Sequence, residues 1–109
     1  MKDKELLELA AKAAGYVVTG RGGMSRGVFV HYVGAQPDEC GDLPNFHWDP
    51  LTDDGDALRL ARSILMRIDF YKREVWYPVG GGRWQTIGWH LEAYKGAVVR
   101  AAAEIGRTK

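Results

Sequence analysis

Cysteine is almost absent from this chain: Cys40 stands alone among 109 residues. A single thiol excludes an internal disulfide framework and suits a reducing compartment, so the cytoplasm is the expected location. An excess of one charge is missing as well. Fifteen Lys and Arg stand against fourteen Asp and Glu, a formal net charge of +1. That balance excludes a global basic field that would collect nucleic acid, and equally an acidic surface resembling DNA. Any charge-driven partner must be read by a local patch. Long apolar runs are also lacking, since no segment approaches the roughly 18 uninterrupted apolar residues of a membrane span. The N-terminal MKDKELLELAAKAAG mixes acids with its bases and reads as a helix, not as a signal peptide. Without an internal repeat, a low-complexity tail or a linker-like stretch, residues 1–109 are expected to form a single domain.

What is present is ample apolar material, 46% of the residues with 11% aromatic, enough for an ordinary core. Leu6, Leu7, Ala10, Ala13 and Ala14 recur at helical spacing, with Asp3 as a cap and Gly15 as a left-handed stop. YVVT and GVFVHYV, joined by GRGGMSRG, predict an antiparallel hairpin. From Gly34 to His47 the composition turns to Pro, Gly, Asp, Asn and Gln, the mark of a loop. Ala57, Leu58, Ala61, Ile64 and Leu65 form the stripe of a second helix running to about Ile64. MRIDFYKREVWYPV is β-rich and too long for one ordinary strand, so it divides at Lys72-Arg73 or else turns at Gly80-Gly81-Gly82. A third helix carries Leu91, Tyr94, Ala97, Val98, Ala101, Ala102 and Ile105, starting near His90 and stopping at Gly106. The expected fold is therefore α+β, in the order α-β-β-α-β-β-α, with one four-stranded sheet covered by helices as a helix-sheet-helix sandwich.

The stretch WDPLTDDGDALRLA, Trp48 to Ala61, holds four aspartates within eight residues. A calcium loop counted from Asp49 needs glycine at its sixth position and glutamate at its twelfth, where this chain has Asp54 and Leu60. A helix start explains the same residues. Thr52 or Asp53 can cap exposed amides, and Asp54 and Asp56 suit the positive end of the helix dipole. Trp48 and Pro50 then set the angle at which the chain meets the helix, with Trp48 buried over Leu51.

NFHWDPLTDDGDALRLA, Asn45 to Ala61, and AVVRAAAEIG, Ala97 to Gly106, together with the similar ELLELAAKAAG, make the chain resemble the phage ABA sandwich domain family, small proteins encoded in phages and prophages. The chain departs from that pattern at Asp49, where many members have asparagine before the proline. GAQPDECGDL and VGGGRWQTIGWH are individual to it. The resemblance implies a phage or prophage origin and a layered helix-sheet-helix fold. It implies no activity and transfers no catalytic residue.

Other constellations are weak. Cys40, His47 and His31 lack the spacing of a zinc site, so no metal is expected, and no cofactor motif is present. Ser25, Ser63 and Cys40 have no nucleophile-elbow context to join them to His31, His47 or His90, so no catalytic residue is assigned. GRGGMSRG has glycines and arginines suited to an anion but lacks the ending of a P-loop. Of the two tryptophans in GGGRWQTIGWH, Trp89 can pack on Tyr94, whereas Trp84 has no local partner and serves as a lid or as a contact. Strand directions in a single sheet bring Arg21, Arg26, Arg83 and Trp84 to one end, an aromatic ringed by arginines and the expected partner-binding surface. The expected function is a small, soluble, non-enzymatic phage or prophage protein that binds a protein of the host or of a competing phage in the host cytoplasm, an anti-defence role included. The alternative is an anion-binding module that contacts nucleic acid or a nucleotide through its arginine-bearing turns. No membrane partner is expected.

Overall fold

The computed structural model describes residues 3–21, 27–41, 44–90 and 93–108. Helix α1, Asp3–Ala14, begins at Asp3 itself, so that residue is helical and does not stand outside as a cap. It stops before Gly15, whose φ of 82° is the left-handed ending expected of it. Helix α2, Asp54–Ser63, has Asp53 as its N-cap and Ile64 as its C-cap, as the stripe and the aspartates predict. Helix α3, Tyr94–Arg107, starts later than His90, because a turn in which Ala93 N donates to His90 O at 3.2 Å comes first. Leu91, expected on its stripe, lies outside the described residues.

Gly106 does not end α3. It lies inside the helix where α3 crosses α1, and a Cβ there would stand 1.9 Å from the backbone oxygen of Leu9. The reason is close helix packing. Ala10, Ala11 and Ala13 of α1 and Ala97, Ala101, Ala102 and Ala103 of α3 are all buried, and these small side chains let the two axes approach in the most extensive contact between elements.

The strands differ most from expectation. Among the described residues there are six, in two antiparallel sheets, not four in one, and the element order is α-β-β-β-α-β-β-β-α. The first sheet is β1 (Tyr16–Arg21), β2 (Val28–Tyr32) and β3 (Phe46–Trp48), in that order. The strand β3 is only three residues at the end of the Pro/Gly-rich stretch, too short to signal a strand by alternation. It becomes one by pairing Phe46, His47 and Trp48 with Val30, Phe29 and Val28. Gly27, with φ 94°, passes so near this strand that a Cβ would lie 2.6 Å from Trp48 O and 2.7 Å from Asp49 Cβ.

The second sheet is β4 (Arg67–Asp69), β5 (Glu74–Gly80) and β6 (Arg83–Gly88), again in chain order. Both proposed turns exist. The chain reverses between Asp69 and Glu74 and again at Gly81-Gly82, so RWQTIG is a strand paired with β5 and not an irregular connection. Its glycine and glutamine hid it, and pairing with Val75 and Trp76 supplies what propensity does not. Val75 and Tyr77 are buried on the side of this sheet where β5 meets α3. One apolar cluster draws Val28, Val30 and Trp48 from the first sheet, Val75 and Tyr77 from the second, and residues from all three helices. No described helix is long and apolar enough to cross a membrane.

Candidate binding surface

The aspartate-rich stretch is consumed by structure. Asp53, in extended conformation, accepts from Asp56 N at 2.8 Å. The Asp56 carboxylate accepts from Asp49 N at 2.9 Å and from the Arg59 guanidinium at 2.7 Å. Asp54 accepts from the Tyr94 hydroxyl and from Lys95 Nζ, the latter at 2.9 Å, which ties the start of α2 to the start of α3. Its carboxyl is held below the usual carboxylate range, first by the Tyr94 bond and then by Lys95. The Tyr94 phenol is pushed up to about 12, first by burial and then by its bond to Asp54. Asp49 is buried. One of its carboxylate oxygens accepts from the Thr52 hydroxyl, while Oδ1 meets no partner among the described residues. Caps, a dipole and a bracing contact thus account for Asp53, Asp54 and Asp56.

Two of the other candidate groups lie against backbone carbonyls. Ser63 Oγ donates to Leu60 O at 2.8 Å, and an imidazole nitrogen of His31 lies 2.9 Å from Tyr32 O. His47 packs edge-on against Phe29 at 5.6 Å, and Cys40 is exposed. Ser25 lies outside the described residues. No group of three or more His, Cys, Asp or Glu among the described residues is arranged to hold a metal ion.

Trp89 packs on Tyr94 as expected, and Trp84, left open between a lid and a contact, is half-exposed. Trp89 is 7% exposed, with ring centroids 5.9 Å from Phe70 and 6.3 Å from Tyr94, whereas Trp84 is 48% exposed. Arg83 and Trp84 begin β6. Arg21 ends β1 in the other sheet, and Arg26 lies outside the described residues. A common strand direction therefore no longer relates the two halves of the expected surface.

What Trp84 shares is a face with residues that sequence reasoning missed. Arg67, Trp76 and Thr86 stand directly opposite one another across β4, β5 and β6, and Trp84 precedes Thr86 by two positions. Directly opposed and alternate residues of a sheet share a side, so Arg67, Trp76 and Trp84 project together, away from Val75 and Tyr77. They line one cavity of about 200 Å³. Trp76 Nε1 donates to Glu74 at 3.1 Å, which fixes that ring, while no described residue engages the Arg67 or Arg83 guanidinium or the Trp84 indole. The signal was present in EVWYPV, where Val75 and Tyr77 claim the buried parity and leave Trp76 on the other. Comparison of the chain with known protein families, with curated proteins and with solved structures finds no match.

Proposed function

We propose that this chain is a non-enzymatic binding module, and that it recognises an anion-bearing macromolecule on the open face of the β4–β5–β6 sheet. One observation carries the reading: two solvent-facing indoles and an unengaged guanidinium line a single cavity. Trp and Arg are the side chains most enriched where binding energy concentrates, because each combines a large contact area with directional polar groups. Both partner classes expected from the sequence, a protein and a nucleic acid, would meet such a face through carboxylates or phosphates. A phage or prophage origin, as the sequence resemblance implies, would make the partner a molecule of the host or of a competing phage.

The test is affinity capture from bacterial lysate with wild-type protein, Trp84→Ala and Arg67→Glu, with bound protein and nucleic acid identified in each eluate. The expected result is a partner retained by wild type and lost by both variants at unchanged melting temperature. Identical eluates from all three proteins would reject this face as the recognition surface.

A further inference from the structure

The geometry points to single-stranded nucleic acid as the ligand of this face, with a base held between Trp76 and Trp84 and a phosphate held by Arg67. This rests on the β4–β5–β6 face being the recognition surface and gives its occupant a chemistry.

The need for a flat ring follows from the two indoles. The other two tryptophans are satisfied within the fold: Trp48 is in edge contact with Tyr16, and Trp89 with Phe70. Trp76 and Trp84 line the same cavity yet make no ring contact with each other or with any described ring. They are diagonal neighbours of an antiparallel pair, a relation that sets backbone positions about 7–8 Å apart. Two van der Waals contacts of roughly 3.5 Å fill that spacing with one flat group between the rings. An aliphatic side chain would use neither π face. Trp76 is already oriented by its bond to Glu74, so one wall of the slot is set before any ligand arrives.

The need for an anion follows from Arg67, whose guanidinium lines the cavity and is engaged by no described residue. By the same pairing Asp69 and Glu74 share this face, and both are hydrogen-bonded within it: Asp69 accepts from Lys72 N at 3.0 Å and Glu74 from the Trp76 indole. A guanidinium in the wall repels a cationic ring and attracts a ring linked to phosphate.

A single strand offers a ring and an anion at every unit. In a duplex the bases are already stacked on one another and closed to side chains. Aromatic side chains on neighbouring strands of an exposed sheet, flanked by cations, form the stacking platform that single strands use. An acidic peptide supplies the charge but presents an aromatic ring only where its sequence has one, so the spacing of the indoles favours the nucleic acid.

Fluorescence anisotropy with labelled twelve-nucleotide oligothymidylate and oligouridylate, a duplex of equal length and a polyglutamate peptide tests this directly. Both single strands are expected to bind, to quench tryptophan emission and to weaken linearly in log salt, with the duplex at least tenfold weaker. Trp76→Ala and Trp84→Ala should each weaken single-strand binding by about tenfold or more, Trp84→Tyr should restore most of it, and Arg67→Glu should lower the salt slope. If polyglutamate binds through these residues and neither oligonucleotide does, the nucleic-acid assignment falls while the anion-binding face stands. If oligonucleotides bind but Trp76→Ala, Trp84→Ala and Arg67→Glu leave affinity unchanged, the slot is not their site.

Discussion

The two sheets hold their aromatic residues in opposite ways. In the first, Tyr16 makes edge contacts with Tyr32, Phe46 and Trp48 at centroid distances of 5.2, 5.5 and 5.4 Å, so the rings satisfy one another. The adjoining start of α2 is equally closed, because Asp53 and Asp56 spend their oxygens on backbone amides and on Arg59. In the second, Trp76 and Trp84 face solvent without a ring partner, beside an unengaged Arg67. The end of α2 next to it is open too, with Leu58 and Leu65 exposed in a shallow apolar groove that also includes Phe70. Aromatic content alone therefore says little about role. What differs is whether the polar and π groups around each ring are already taken.

Substitutions on each side can break or sharpen that contrast. The largest effect is expected at Trp48, 1% exposed in the centre of the closed half. Trp48→Ala should cost about 3–5 kcal/mol by chemical denaturation, and a loss below about 1 kcal/mol would mean that half is not closed. Next is Gly27→Ala, which combines an unfavourable backbone angle with a collision against Trp48 O and should cost about 2–3 kcal/mol. A variant as stable as wild type would show that β3 is free to move away. Asp53→Ala removes the cap of α2 and should cost about 1 kcal/mol in the same measurement, with Asp53→Asn recovering most of it.

On the open side the sign reverses. Leu65 occupies the left-handed position after α2 at φ 57°, with Met66 N donating to Ala61 O and Leu65 N to Arg62 O. Glycine is the usual residue of that motif. Because the leucine is 74% exposed and has little packing to lose, Leu65→Gly should raise stability by about 0.5–1 kcal/mol. A clear loss would show that its side chain is packed against something. Trp84→Ala should move stability least, within about 0.5 kcal/mol, while Trp84 emission disappears from the solvent-exposed part of the fluorescence. A loss as large as that at Trp48 would dissolve the distinction between the two sheets.

Much of this fold was legible locally. The helices declare themselves by periodicity because an amphipathic helix must put one stripe inside whatever it packs on. The cap at Asp53 declares itself because its acceptor and donor are only three residues apart. The turn after β4 and the glycine turn after β5 were both visible, and the error lay in treating them as alternatives. The packing of Trp89 on Tyr94 was legible from its neighbours, whereas for Trp84 the sequence left a lid and a contact open. Phe46–Trp48 and Arg83–Gly88 were not, because neither is a strand by its own residues and each is held by partners elsewhere in the chain.

The sequence by itself determined the helical stripes, the cap of α2, the β-rich segments and the balance of charge, and the first three depend on residues within a turn or two of each other. Tertiary structure alone decided that the strands divide into two sheets, since hydrogen-bond partners are chosen in space. It decided that Gly106 is a point of helix contact and not a stop, because the obstacle is Leu9, far away along the chain. It also decided which residues surround Trp84: the register of β4, β5 and β6 sets Arg67 and Trp76 beside it, and a register is a property of paired strands that no single strand carries.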